Sequence, residues 1–113
     1  MLPRKLKIPK SLIPLVIKSG KSNRSPSLMI RVLEKKELES SLFTVVIAKK
    51  VSKKATDRNL IKRRIYNAIR FYLRTIKPGF MFLIMPQNES LKTNLEGFKK
   101  EINEMLIKNN LLN

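Results

Sequence analysis

Residues 48–70 read AKKVSKKATDRNLIKRRIYNAIR. They follow Leu42 to Ala48, LFTVVIA, which is rich in β-branched residues and apolar on both faces. That is the pattern of a strand inside a sheet. Thr56 or Asp57 then starts a helix that runs to about Lys77, where Pro78-Gly79 stops it. At about 100° per residue the helix divides into two sides. Ile61, Ile65, Ala68, Ile69, Tyr72 and Ile76 fall on one side. Asn59, Lys62, Arg63, Tyr66, Asn67, Arg70 and Arg74 fall on the other. The first set is read as packing on the sheet, and the second as an outward row of cations, amides and a phenol.

The rest of the chain is read outward from this helix. Phe80 to Met85 is a fully apolar strand closed by Pro86, and Ser90 is read as the cap of a last helix reaching about Asn109. In that helix Leu91, Leu95, Phe98, Ile102 and Met105 step by four, three, four and three. Upstream, Leu28 to Leu33 reads as a strand and Glu34 to Ser41 as a charged turn. Residues 20–27, GKSNRSPS, are a polar connection with room for a short edge strand. Ser11 is read as the cap of a short helix to about Lys18, with Pro14 in its first turn and Gly20 at its end. Residues 1–9 read as a basic extended arm. The sum is an α+β fold in a single domain over 1–113, a small mixed central β-sheet with about three helices in the order α-β-β-β-α-β-α.

Composition narrows the chemistry. The 113 residues hold no Cys and no His. Metal sites, nucleophiles and general bases built on those side chains are therefore excluded. The three glycines, Gly20, Gly79 and Gly97, form no phosphate-cradling loop. Among the acids of the last helix, Glu96, Glu101 and Glu104 lack metal-site spacing beyond one ordinary pair, which speaks against an autonomous nuclease. No cofactor held tightly by the protein is expected, and no small-molecule substrate. The longest apolar run, Phe80 to Met85, is far short of the roughly 20 residues of a membrane span, so no membrane partner is expected. Met1 to Leu33 carries eight basic residues and no acid, but Pro3, Pro9 and Pro14 argue against a targeting helix; the expected location is cytoplasmic.

Twenty-five Lys and Arg against eight acids give a formal net charge of +17. Between Ser40 and Asn88 eleven basic residues face one acid, Asp57. A merely solvated helix face normally alternates its signs, and one-sign crowding costs stability unless a polyanion neutralises it. Arg forks fit phosphate oxygens in pairs and Lys acts as a mobile point charge. Asn59 can address sugar or base, and Tyr66 can stack on an unpaired base. Lys49, Lys50, Lys53 and Lys54 lie beside the helix N-terminus, whose positive dipole end and free N–H groups suit phosphate. The competing reading of those four is a solubilising loop. Binding of nucleic acid is the reading favoured. A ribosomal or other structural RNA-binding protein, and a DNA-binding module using the basic helix in a major groove, are its rival forms.

The same stretch resembles the signature of the protein subunit of bacterial ribonuclease P. That family carries a Lys-Lys pair ending a strand, an Ala, and then Arg-Asn-x-x-Lys-Arg opening a long helix. Here these are Lys49-Lys50, Ala55, Arg58-Asn59 and Lys62-Arg63. The resemblance implies an RNA-binding accessory subunit of a ribonucleoprotein endonuclease that removes 5′ leaders from precursor tRNA. It implies that the RNA subunit performs the hydrolysis with Mg²⁺ bound through RNA, and that the partners are the ribonuclease P RNA and precursor tRNA. It places Arg58, Asn59, Lys62, Arg63, Tyr66, Arg70 and the four lysines at RNA. It also places a leader cleft between the first helix and the sheet, where Ile13, Ile17, Met29 and Arg31 align. Two departures stand out: Leu60 and Tyr66 occupy positions where the family usually has Arg. The cleft departs too, with Ile13, Ile17 and Arg31 where aromatics are common.

Overall fold

The computed structural model describes residues 3–113; Met1 and Leu2, the start of the expected arm, lie outside the described residues. Helix α1 is Ile13–Ser19, followed by strands β1 (Lys21–Arg24), β2 (Leu28–Glu34) and β3 (Leu42–Val45). Helix α2 is Ala55–Tyr72, strand β4 is Phe80–Pro86 and helix α3 is Leu95–Lys108. The strands form one sheet in the order β1-β2-β4-β3. β1 with β2 and β2 with β4 are antiparallel, while β3 runs parallel to β4 with Leu42 opposite Met81 and Val45 opposite Ile84. Parallel neighbours need a long crossover, and α2 is that crossover. This is the expected mixed α+β architecture.

Strand alternation assigns the two sheet faces. Phe82 and Ile84 of β4, Leu28 and Ile30 of β2, and Phe43 and Val45 of β3 join Ile61, Ile65, Ala68 and Ile69 of α2 in the main core. Phe98, Ile102, Met105 and Leu106 of α3 complete it. Met81 and Leu83 of β4 turn the other way, to Val16 of α1, Leu42 and Ile8. The sheet is thus covered by α2 and α3 on one side and by the short α1 on the other. Phe43 and Phe82 stack at its centre, ring centroids 5.0 Å apart and planes 6° from parallel.

Several boundaries differ from the sequence reading. Ser11 caps nothing: it lies in a 3₁₀ turn, Lys10–Leu12, and α1 begins at Ile13 with Pro14 in its first turn. Ser90 likewise belongs to a 3₁₀ turn, Asn88–Lys92, where its hydroxyl donates to Gln87 O. Asn94 caps α3 instead, accepting from the N–H of Gly97 at 2.8 Å. Leu91, counted in the expected α3 stripe, therefore stays outside the helix. β3 ends at Val45 rather than Ala48, although the Val46 N–H still reaches Ile84 O. α2 ends at Tyr72 rather than near Lys77, because Ile76 pairs with Leu112 and the Lys77 N–H with Leu111 O. The residues expected as an extended arm include a 3₁₀ turn at Arg4–Leu6, with Leu6 and Ile8 buried and the Ile8 N–H on Thr44 Oγ1. Among the described residues no helix is long and apolar enough to cross a membrane.

Gly79 sits at φ +91°, a region open to Gly at little strain, and its carbonyl accepts from the Lys35 N–H. It turns the chain from α2 into β4. Removing the central ring should be costly: Phe82→Ala is expected to lower stability by about 3–5 kcal/mol, read by chemical denaturation. A loss under 1 kcal/mol would contradict the placement of Phe82 in the core.

Candidate nucleic-acid interface

Helix α2 is tilted onto the sheet by Ile61, Ile65, Ala68 and Ile69, all essentially inaccessible. This fixes what faces out. Asn59, Lys62, Arg63, Asn67 and Arg70 are exposed, and Arg74 is exposed just beyond the helix. Lys62 and Arg63 make no hydrogen bond or ion pair to the described residues, so their donors are open to a ligand. Two ion pairs form elsewhere, Lys35–Glu37 at 2.7 Å and Lys99–Glu96 at 3.4 Å. Neither reduces the charge of this face.

Arg58 is tied locally. Its guanidinium donates to Ser52 O at 2.9 Å and it is half-buried. The Ser52 hydroxyl donates to Asp57 at 3.3 Å and accepts from the Lys54 N–H at 3.3 Å. Arg58 and Ser52 thus fold the 49–54 connection back onto the first turn of α2. No side chain caps that turn, so its N–H groups and positive dipole end stand beside Lys49, Lys50, Lys53 and Lys54, all exposed. The four lysines are thus joined in sequence to the start of the exposed α2 face.

Tyr66 is a correction. The helical count puts it within the outward row, but it is only 5% exposed and lies in the main core. Its ring is long enough to fold over the helix edge towards β3, where the phenol oxygen accepts from the Val45 N–H at 3.4 Å. No ring face is left for a base. Burial pushes the Tyr66 phenol above its ordinary pKa, partly opposed by the hydrogen bond from Val45. Arg64, off the main face as the helical count requires, donates to the carbonyls of Leu91 and Thr93 at 3.3 and 3.1 Å. It ties α2 to the turn before α3. Leu60 is half-buried beside the basic face.

The other sheet face holds the second group of candidates. α1 packs on β2 and β4 through Val16, while Ile13 packs against the same cluster and Ile17 is 49% exposed. Met29 and Arg31 alternate with buried Leu28 and Ile30, so both lie on the α1 side. Met29 pairs with Met85 and Arg31 with Leu83. The Arg31 guanidinium reaches Gly20 O at 3.5 Å. A Cβ on Gly20 would stand 2.4 Å from Val16 O and 3.2 Å from Arg31 Cβ. A side chain there would run first into the Val16 carbonyl, so Gly20 is required chiefly by the way α1 ends, with β2 in tight contact beside it. Met29 and Arg31 therefore share the α1 side of the sheet with Ile13, mostly a packing residue, and with the helix that carries Ile17; this side is the candidate trough. Met85 and exposed Val46 border it. Neither was singled out in the sequence, although the period of β4 puts Met85 on the face of Met81 and Leu83.

Among the described residues no three Asp or Glu side chains gather where they would hold a metal ion.

Comparison with known proteins agrees with this geometry. The family model described as ribonuclease P matches residues 3–110. The ribonuclease P protein component of Synechocystis sp. is 37% identical over 90 residues, covering 80% of this chain and 73% of that protein. That of Phytoplasma australiense is 33% identical over 107 residues, covering 88% of this chain and 91% of that protein. In fold, the RNase P protein of Staphylococcus aureus superposes with a TM-score of 0.83 at 16% identity, over 96% of this chain and 98% of that one. The RNase P protein of Thermotoga maritima gives 0.79 at 20% identity, over 90% and 96%.

The tyrosine has a pH signature. A folded-state pKa raised above the unfolded value gives stability that is full below about pH 10 and falls as pH climbs through the folded value. Tyr66→Phe should therefore lose less stability than the parent as pH rises above about 10 in paired denaturation curves. Superimposable pH profiles for the two proteins would contradict the buried phenol.

Proposed function

Because the chain belongs to the ribonuclease P protein family, we propose that its basic α2 face grips the ribonuclease P RNA and that its α1-side trough receives the 5′ leader of precursor tRNA. The observation that carries this reading is the pair Lys62 and Arg63, exposed and without partners among the described residues, on a helix whose opposite side is locked in the core. A rigid helix presenting unpaired cations matches a phosphate backbone without reorganisation.

Each group has a task in this reading. Lys62, Arg63 and Arg70 screen RNA phosphates. Asn59 supplies neutral donors and acceptors between them. Lys49, Lys50, Lys53 and Lys54, with the uncapped N–H groups of α2, hold a phosphate near the helix start. Arg58 acts mainly by ordering that connection. In the trough, Ile17 and Met29 offer apolar contact and Arg31 a cation to a single strand. The leader is present on substrate and gone from product, so contacts to it favour precursor over mature tRNA. Hydrolysis is assigned to the RNA subunit, with Mg²⁺ held through RNA. The protein is then an accessory subunit of the endonuclease, acting in the cytoplasm. Family membership favours this over a ribosomal or other structural role.

Reconstitution tests the reading. At low Mg²⁺, a bacterial-type ribonuclease P RNA with this protein should release the leader of a 5′-extended precursor tRNA. Failure of the protein to stimulate cleavage, with binding intact, would reject it. Arg63→Ala should weaken binding of that RNA by about 1–3 kcal/mol and flatten log K against log salt by about one phosphate contact. An unchanged slope would remove Arg63 from the interface. For the trough, Ile17→Ala should weaken precursor binding more than mature tRNA binding. Equal losses would make Ile17 a packing residue only.

A further inference from the structure

Phe71 is the most exposed large apolar side chain among the described residues, at 64%. A single exposed apolar residue needs no explanation by itself. This ring, however, is held from two directions. The Lys99 ammonium of α3 sits 4.1 Å from its centroid. Lys99 is itself anchored by Glu96 at 3.4 Å, with only 19% of its side chain exposed. Tyr72 meets the ring edge-on, centroids 5.0 Å apart and planes at 85°. One face of Phe71 is thus covered by a fixed cation, and its exposure leaves the other to solvent.

The surroundings are mainly cationic, Glu96 being taken up by Lys99. Asn67 lies one turn before Phe71 and Arg74 about one turn after, both exposed and both members of the basic row begun by Lys62 and Arg63. Eight residues from Arg63 to Phe71 span about 12 Å of helix, comparable to two nucleotides of backbone. A protein partner for an apolar patch would want apolar neighbours; here they are an amide and cations. A flat π-face beside phosphate-binding cations is the arrangement that receives unpaired bases.

We propose that Phe71, with Lys99 beneath it, is a stacking platform for one unpaired base of the ribonuclease P RNA, extending the α2 contact onto the α2–α3 side of the molecule. The inference rests on the proposed binding of that RNA. It lies across the sheet from the α1 trough, so it serves the RNA subunit and not the leader.

The chain has no Trp, so Phe71→Trp introduces one indole as a reporter. With a bacterial-type ribonuclease P RNA as probe, Phe71→Ala should bind about tenfold more weakly, with its salt slope unchanged because stacking releases no counterions. Phe71→Trp should bind as the parent does, and its indole emission should be quenched by the RNA. The thermal midpoint of Phe71→Ala should match the parent, since the ring is exposed. Parental affinity in Phe71→Ala, together with unquenched indole, would overturn the platform while leaving the Arg63 result standing. Loss of parental self-association in Phe71→Ala, with RNA affinity intact, would overturn it too and assign the ring to a second copy of the chain. If the parent and Arg63→Ala both fail to bind the RNA, it is the underlying function that falls.

Discussion

The parallel pairing of β3 with β4 is the constraint on which the rest of the molecule depends. Two parallel strands cannot be joined by a tight turn, so the chain between Val45 and Phe80 must cross the sheet and return. The crossing element is α2, and its apolar stripe can be buried only against the face carrying Phe43, Val45, Phe82 and Ile84. Once that stripe is seated, the outward direction of Lys62 and Arg63 follows from helical geometry. The lysine-rich connection is placed by the same pairing, because it must bridge the end of β3 and the start of α2.

This arrangement reconciles a net charge of +17 with a folded domain. Ten of the 25 Lys and Arg lie between Lys49 and Arg74, on α2 and the stretches flanking it, while the apolar residues fill two clusters on either side of the sheet. The described ion pairs Lys35–Glu37 and Lys99–Glu96 are remote from Lys62 and Arg63, and exposed pairs contribute little. Repulsion along α2 therefore persists in the free protein. A polyanion would remove it on binding, so RNA association should be both strong and salt-dependent.

The sequence was most legible where one physical effect dominated. The runs Leu28–Leu33 and Phe80–Met85 gave strands within a residue of their observed limits, because β4 is buried on both faces and β2 on its inner one. The α2 stripe predicted the buried Ile61, Ile65, Ala68 and Ile69. Legibility failed where a tertiary contact outweighed local preference. Ser11 and Ser90 have capping chemistry, yet 3₁₀ turns intervene and Asn94 takes the cap of α3. Tyr66 falls within the outward row by helical count, yet its long ring folds inward to a hydrogen bond from β3 that no periodicity encodes. Gly20 was legible as the end of α1, but the close contact of its Cα position with the Val16 carbonyl and with Arg31 was not.

Tyr66 and Leu60 bear on how this interface differs within its family. The resemblance implies Arg at both positions; here both residues are uncharged and turn at least partly towards the protein. Tyr66 adds a hydrogen bond between α2 and β3, so charge is exchanged for rigidity of the crossover. The remaining cations are then displaced along the helix: Arg70 and Arg74 continue the row towards its C-terminal end. Arg64, spatially near the lost charge, does not compensate, since it is engaged with the carbonyls before α3. The basic surface is therefore longer and more dilute than the signature alone implies. Its far end meets an exposed aromatic ring held between α2 and α3, which is where non-electrostatic contact can replace some of the missing charge.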